Sequence, residues 1–212
     1  MNYRYIFWDN DGVLVDTERY YLQASREALA RVEIQLSNQQ FAEISLGEGR
    51  SIFDIAAASG ISGQTIVELK EWRHKRYAGL LEQAEIALDG AAEVLKDLHG
   101  RVGMAVVTSS QRQHFEIIHR RTGFLPYFDF CLTREDSTSS KPSAEPYLLA
   151  LQHCGHAADD VLVIEDSPRG LKAAKAAGLT CWAIPGQHMS AEDFTEADRV
   201  LDDIRDVMQL TL

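Results

Sequence analysis

The chain has 212 residues, of which 45% are hydrophobic and 25% charged, a balance typical of a folded protein with a sizeable core. A net charge of −11 and the lack of a Lys/Arg block exclude a surface built to hold a nucleic-acid backbone. No apolar stretch approaches the roughly 20 residues that span a bilayer, so we expect no membrane partner.

The first predicted element is a buried strand over Tyr5–Trp8, and a long helical block follows it. Residues 17–88 contain no convincing buried strand. Four helices are predicted there. They are residues 20–32, a helix that begins at Ser37, a helix from near Arg50 to Gly60, and residues 62–84. Ser37 with Gln40 three positions later is typical of a capping box. The block therefore predicts a separate helical unit inserted after the first strand.

From Asp89 onward, four predicted helices alternate with four predicted strands. The helices cover residues 91–99, 111–122, 144–154 and 168–177, each followed by the glycine that a helix C-terminus favours. The clearest strands are residues 103–107 and 161–164. Such alternation predicts an α/β fold, in which a Rossmann-like parallel sheet carries helices on both faces. We predict a catalytic core of residues 1–16 and 89–212, with an all-helical cap domain of residues 17–88.

Chemically useful side chains follow several of these strands, and one lysine precedes a helix. They are Asp9, Asp11, Thr108, Lys141, Glu165 and Asp166. In an open parallel sheet, ligands bind outside the carboxyl ends of the strands, so we expect these residues to converge on one site. Such a set can bind a divalent cation and a phosphoryl group.

The strongest local signal is Asp9-Asn10-Asp11-Gly12. Carboxylates at i and i+2 face the same way only in an extended chain, and Gly12 allows the backbone to turn immediately afterwards. One carboxylate can attack phosphorus while the other handles protons, and a cation offsets their repulsion from phosphate. The same tetrapeptide is typical of a plain tight turn, and on its own it leaves both interpretations open.

The four signals together resemble a known family. Residues 9–18 resemble motif one of the haloacid dehalogenase superfamily, in its phosphatase and beta-phosphoglucomutase-like branch with a helical cap. Residues 107–109 resemble motif two, the step Lys141-Pro142 motif three, and residues 164–167 with Gly170 motif four. The motifs occur in the family's order along essentially the whole chain, which makes them far more specific together than separately.

The resemblance implies a covalent phosphatase mechanism. Asp9 would be the nucleophile, and Asp11 would act first as general acid and then as general base. Thr108 and Ser109 would hydrogen-bond the transferring phosphoryl group. Lys141 would neutralise charge on the nucleophile and the phosphate.

The same resemblance implies a Mg²⁺ cofactor. Asp9 and the backbone carbonyl of Asp11 would be ligands, and Asp166 would complete the site. Glu165 would be either a ligand or the neighbour of one. An all-oxygen set of this kind suits Mg²⁺.

In the resembling subfamily, the helical cap supplies contacts that select the substrate. The segment Gly47-Glu48-Gly49-Arg50 is the best candidate here, because two glycines allow a mobile loop and Arg50 can meet a distal anionic or hydroxyl group. A plain connection between two helices explains the segment equally well.

The function predicted is Mg²⁺-dependent hydrolysis of a small phosphorylated metabolite, such as a sugar phosphate or a phosphoglycolate-like acid, through an aspartyl-phosphate. Phosphoryl transfer between sugar hydroxyls, as in beta-phosphoglucomutase, is the nearer alternative. Tyr21 and Leu46 stand where that mutase carries a histidine and a lysine. A noncatalytic metabolite-binding module is the third class.

Cysteine usage and the first residues bear on the compartment. The three cysteines, Cys131, Cys154 and Cys181, are odd in number and far apart, which fits reduced, packed thiols better than a disulfide framework. The sequence begins without a charged segment followed by an apolar one. These features predict a cytoplasmic protein.

Overall fold

The structure is a computed structural model that describes residues 3–47, 49–186, 189 and 191–209. The chain divides into two compact units, Met1–Asp16 with Ile86–Leu212, and Thr17–Glu85. The segment after Glu85 belongs to the first unit because it pairs with the segment before Thr17. The Asp16 amide donates to the Ile86 carbonyl at 2.7 Å, and the Leu88 amide to the Leu14 carbonyl at 3.0 Å. The predicted border at 88/89 falls just after this pairing.

Six parallel strands form the sheet of the first unit. They are β1 (Tyr5–Trp8), β2 (Gly103–Val107), β3 (Phe130–Leu132), β4 (Val161–Glu165), β5 (Thr180–Ala183) and β6 (Arg199–Val200), in the order β3-β2-β1-β4-β5-β6. The register sets Trp8 beside Val106 of β2 and Ile164 of β4, so the carboxyl ends of the three central strands are level. The predicted parallel α/β fold is confirmed.

Strand β1 lies at the centre because all four of its residues are apolar. Successive side chains of a strand point to opposite faces, yet Tyr5, Ile6, Phe7 and Trp8 are all buried. Both faces of the sheet are therefore covered, as continuous apolar strands predict. The two-residue strand β6 was not predicted, since Arg199 and Val200 are exposed and carry no such apolar run.

The described residues of the second unit form helices and their connections, with an apolar core around Leu29, Phe41 and Leu69. Its elements are α1 (Glu18–Ala30), α2 (Asn38–Phe41), a π-helix (Ala42–Gly47), α3 (Asp54–Ala58) and α4 (Gly63–Leu81). Ser37 and Gln40 form the predicted capping box. The helix predicted to begin near Arg50 begins instead at Asp54, because the Arg50 amide donates back to the Ile44 carbonyl and completes the preceding turn.

The remaining helices flank the sheet. They are α5 (Ala91–Leu98), α6 (Arg112–Thr122), α7 (Glu145–Cys154) and α8 (Pro168–Ala176), with short 3-10 turns at Leu125–Tyr127, Arg134–Asp136, Ala158–Asp160, Ala191–Phe194 and Ile204–Gln209. Gly123 and Gly155 end α6 and α7 in the left-handed conformation, as predicted. Within the described ranges, no helix combines the length and apolar character that a membrane crossing requires.

Candidate active site

The residues predicted for the active site of the α/β unit lie at the carboxyl edge of the sheet. Asp9 directly follows β1, Thr108 follows β2, and Glu165 is the last residue of β4. Backbone hydrogen bonds hold the first two in place: the Asp9 amide donates to the Ile164 carbonyl and the Thr108 amide to the Leu132 carbonyl, each at 2.9 Å. Residues far apart in the chain are thus held side by side at the carboxyl edge of the sheet.

Lys141 joins two of the carboxylates. Its ammonium donates to Asp9 Oδ1 at 2.5 Å, to Glu165 Oε1 at 2.6 Å and to the Val107 carbonyl at 2.8 Å, which uses all three of its protons. Burial opposes the charge, but Asp9 and Glu165 outweigh it and raise the pKa of Lys141. Lys141 is therefore a fixed cation between two buried carboxylates.

Glu165 is fully buried, and both of its oxygens are engaged. Oε1 also accepts from the Tyr147 hydroxyl at 2.8 Å, and Oε2 accepts from the Asp166 amide at 3.2 Å and the Ser167 hydroxyl at 3.1 Å. With Lys141, these contacts occupy the carboxylate on all sides. Glu165 is therefore better placed to orient Lys141 beside a metal ligand than to bind a metal directly.

Tyr147 is a site residue that sequence reasoning missed. It lies on α7, is fully buried, and its ring centroid is 4.9 Å from Lys141 Nζ. A tyrosine within a helical apolar pattern looks like ordinary core, so nothing in the sequence distinguished it. Gly170 serves the same group from α8, because a Cβ there would lie 1.9 Å from Glu165 Oε1.

Hydroxyl groups hold the carboxylate of Asp11. Its Oδ2 accepts from Ser110 Oγ at 2.6 Å and from Thr108 Oγ1 at 3.4 Å. The Ser110 amide in turn donates to Thr108 Oγ1 at 3.0 Å. These hydroxyls do not cap α6, since Gln111 is its N-cap and no side chain caps it. Ser110 was not predicted as a site residue, although it lies beside two that were.

Ser109 has a different environment from its neighbours. Its Oγ is buried, and the described part of the chain offers it no hydrogen-bond partner. A buried hydroxyl without a partner costs about 1–3 kcal/mol, so such groups usually have a role that explains them. An oxygen of a bound phosphoryl group would satisfy this one.

The carboxylates lie close enough together for a cation site. Oxygens of Asp9, Asp166 and Glu165 lie within 4.8 Å of one another, so Asp9 and Asp166 could hold a cation with Glu165 beside them. Gly12 makes this approach possible: its φ is +88°, and a Cβ there would lie 1.8 Å from Asp166 Oδ2. Any larger residue at position 12 would collide with the Asp166 carboxylate.

The charge balance of the site calls for a further cation. Burial above all, and then the charges of Glu165 and Asp11, raise the pKa of Asp9 to about 7, although Lys141 acts in the opposite direction. One ammonium does not compensate these neighbouring carboxylates. Because the carboxylates grouped here offer oxygen atoms, the residues present fit Mg²⁺.

Arg50, the predicted substrate contact, lies in the helical unit. Its guanidinium donates to Asp54 Oδ2 at 3.2 Å, across one turn at the start of α3. Gly49, beside it, has a positive φ of +64°, and Glu48 of the same segment lies outside the described residues. The contact between Arg50 and a substrate stays a prediction.

The fold and the four motifs define the class of this protein. The model of the family described as haloacid dehalogenase-like hydrolase matches residues 6–184. The chain belongs to this family, as the resemblance predicted.

Individual relatives are similar over nearly the whole chain. Validoxylamine A 7'-phosphate phosphatase from Streptomyces hygroscopicus subsp. limoneus is 30% identical, over 97% of this chain and 96% of that protein. Fructose-1-phosphate phosphatase YqaB from Escherichia coli (strain K12) is 31% identical, over 84% and 94%. A crystal structure of an Asp-to-Asn variant of CbbY from Rhodobacter sphaeroides, in complex with xylulose-(1,5)bisphosphate, has a TM-score of 0.85 at 26% identity and covers 99% of this chain and 100% of that one.

Proposed function

We propose that the protein hydrolyses the phosphate ester of a small sugar or related metabolite, with Mg²⁺ as cofactor and an aspartyl-phosphate as intermediate. The enzyme is a phosphatase of the haloacid dehalogenase-like family. One observation carries the mechanism: Asp9 is bound to a buried cation, Lys141, whereas Asp11 is bound to hydroxyls. Two carboxylates of one tripeptide thus have environments suited to different tasks.

In the first step, a carboxylate oxygen of Asp9 attacks phosphorus and the ester P–O bond breaks. Lys141 holds the other oxygen of Asp9 and keeps the carboxylate oriented. The carboxyl group of Asp11 donates its proton to the leaving oxygen, and the alcohol departs. Thr108 and Ser109 would donate hydrogen bonds to the phosphoryl oxygens, and the unpaired Ser109 hydroxyl supports this role.

In the second step, the Asp11 carboxylate takes a proton from water, and the water oxygen attacks phosphorus. The bond between Asp9 and phosphorus breaks, which releases phosphate and restores both carboxyl groups. Asp9, Asp166 and the backbone carbonyl of Asp11 would hold Mg²⁺, which offsets negative charge on the phosphoryl group when it is bound.

The substrate class rests on the relatives. Two are named as phosphatases of validoxylamine A 7'-phosphate and fructose 1-phosphate, and the CbbY variant binds a xylulose bisphosphate. All three compounds are phosphorylated sugars or sugar-like polyols. A screen of the purified protein against phosphorylated sugars, polyols and glycolate, with released phosphate as the readout, tests the class. Turnover confined to compounds of another chemistry would contradict it.

Tyr21 bears on the mutase alternative. In the helical unit its ring packs edge-on against Tyr77 at 5.4 Å and under the Arg73 guanidinium at 4.4 Å. The position where the mutase carries a histidine thus serves packing here, which supports hydrolysis. If the same screen detects a sugar-phosphate isomer in place of released phosphate, the mutase assignment replaces the hydrolase one.

Mg²⁺ should raise the thermal unfolding midpoint, and the increase should be larger near pH 8 than near pH 5. The pKa of Asp9 is raised, chiefly by burial, to about 7. The metal-free folded state therefore keeps a proton that the unfolded state loses above about pH 4, and the stability from this group falls as the pH rises towards 7. At pH 5 the metal must displace that proton, whereas at pH 8 it need not.

Thermal unfolding with Mg²⁺ and with chelator, at both pH values, measures the increment. Asp166→Asn should abolish it, and the exposed Asp202→Asn should leave it intact. Turnover should cease in chelator, return with Mg²⁺ and be poorly supported by Ca²⁺. Equal increments at the two pH values would contradict a site that contains Asp9.

Arg50→Ala should weaken kcat/KM for the preferred sugar phosphate by about 10-fold or more and leave an aryl phosphate nearly unaffected. An aryl phosphate has no distal group for the guanidinium to contact. Asp54→Ala is the matched control, because it removes a local partner of Arg50 and keeps the guanidinium itself. Equal losses on both substrates would show that Arg50 is structural.

A further inference from the structure

Asn10, between the two aspartates, makes hydrogen bonds of its own inside the α/β unit. It is fully buried, and both ends of its side-chain amide are engaged. Its Oδ1 lies 2.9 Å from His119 Nε2, and its Nδ2 donates to Asp11 Oδ2 at 3.2 Å. The amide therefore connects the carboxylate of Asp11 to a histidine on α6.

His119 is 2% exposed and lies among aromatic rings in the last turn of α6. Phe115 is nearest, at 4.3 Å between ring centroids, and Phe124 and Phe128 lie at 6.2 and 6.5 Å. Burial lowers the pKa of His119 to about 4, although the charge of Asp11 acts in the opposite direction. The ring is consequently neutral at neutral pH, with one nitrogen as donor and the other as acceptor.

The neighbouring groups favour one arrangement of the hydrogen on His119. The Phe124 amide donates to Thr122 Oγ1 at 3.4 Å, so the hydroxyl hydrogen of Thr122 is available to His119 Nδ1, 3.1 Å away. Nδ1 then accepts, and Nε2 donates to Asn10 Oδ1. That leaves the NH₂ group of Asn10 facing Asp11. A flipped amide would place its oxygen against Asp11 Oδ2, which already accepts the Ser110 hydroxyl, and two acceptor oxygens in contact repel each other.

We propose that His119 is a positioning residue: through Asn10, it holds the Asp11 carboxylate in the orientation that proton transfer requires. The inference rests on the proposed function, in which Asp11 is the proton carrier. Ser110 and Thr108 also hold Asp11, but Thr108 has a second task when a phosphoryl group is bound. The side-chain amide of Asn10 then still holds the Asp11 carboxylate from the buried side. Small displacements of a catalytic group cost up to about 10²-fold in rate.

The leaving group provides the test. Loss of an acid that protonates the leaving oxygen harms an alkyl phosphate, whose alkoxide leaves poorly, far more than 4-nitrophenyl phosphate. The ratio of kcat/KM for glycerol phosphate to kcat/KM for 4-nitrophenyl phosphate therefore reports on Asp11. Since kcat/KM ends at the first irreversible step, slow hydrolysis of the phosphoenzyme does not enter the ratio.

His119→Met and Asn10→Leu should each lower this ratio by roughly 10- to 100-fold, while His119→Gln, which keeps a donor near the Nε2 position, should retain most of it. The matched control is His114→Met, a second buried histidine of α6, which should leave the ratio unchanged. In an Asp11→Asn background, His119→Met should have no further effect on the ratio, because the residue acts through Asp11.

Equal losses on both substrates, or a further loss in the Asp11→Asn background, would overturn the inference and leave His119 a structural residue. If Asp11→Asn itself does not change the ratio, the role of Asp11 in the proposed function is wrong, and the inference falls with it. Unfolding midpoints of all variants identify any that fail to fold, and Asn10→Leu then provides an independent route to the same conclusion.

Discussion

Asp9→Asn should abolish the phosphoenzyme and lower turnover by on the order of 10⁵-fold or more. Removal of a covalent nucleophile causes losses of this size in other enzymes. An amide at this position cannot form the acyl phosphate. It also gives Lys141 a neutral partner in place of a carboxylate. Rapid quenching and mass spectrometry of the intact protein should then detect no added phosphoryl group with any substrate.

Asp11→Asn provides the contrast, because it leaves the nucleophile and removes the proton carrier. Hydrolysis of the aspartyl-phosphate should slow by about 10²–10⁴-fold. With a good leaving group, the label should accumulate on Asp9. Asp202→Asn, an exposed aspartate outside the site, is the control for the change of charge. Near-normal turnover by Asp9→Asn, or label on a serine or histidine, would contradict the covalent mechanism.

Lys141→Met should lower activity by about 10²–10³-fold, because it removes the cation that orients Asp9. It should also lower the free energy of unfolding by about 3–5 kcal/mol at neutral pH, since Asp9 and Glu165 would be left buried without a counter-charge. The loss should shrink as the pH falls below about 7, because burial raises the pKa of Asp9 to about 7 and its protonated carboxyl group no longer needs the ammonium.

Denaturant unfolding at neutral and acidic pH, beside steady-state kinetics, measures both effects of Lys141→Met. Lys172→Met is the matched control, because that lysine is exposed on α8 and its replacement should change neither quantity appreciably. A Lys141→Met protein as stable at neutral pH as the parent would show that the buried ion pairs are not coupled as the distances indicate.

Local sequence signals were sufficient for the architecture. Apolar runs such as residues 161–164 predicted central strands of a parallel sheet, and Gly123 and Gly155 marked helix ends. The capping box at Ser37 was also evident from the sequence. These features depend on the spacing of apolar residues and on the conformational preferences of single residues, and both can be read from neighbouring positions in the chain. The hydrogen bond from the Arg50 amide back to Ile44 explains the late start of α3, and the lack of an apolar run explains the missed strand β6.

Motif order alone was enough to place the chain in its family and to bring Asp9, Lys141 and Glu165 forward as candidates. Which atoms they present to one another was decided by the tertiary structure. The bond from Lys141 to Asp9 joins residues 132 positions apart, and the bond between His119 and Asn10 spans 109 positions. No local pattern records contacts across such separations, because they depend on the side chains that the packed sheet and helices bring together.

Sequence by itself therefore determined the parallel-sheet core, its inserted helical unit and the residue types at the carboxyl edge. Only the tertiary structure decided that Glu165 is engaged by Lys141 and Tyr147, that Ser110 holds Asp11, and that Asn10 leads to a buried histidine. The physical reason is that strands and helices follow from backbone preferences and apolar spacing along the chain. The partner of a buried polar group, in contrast, is whichever donor or acceptor folding places within hydrogen-bond distance.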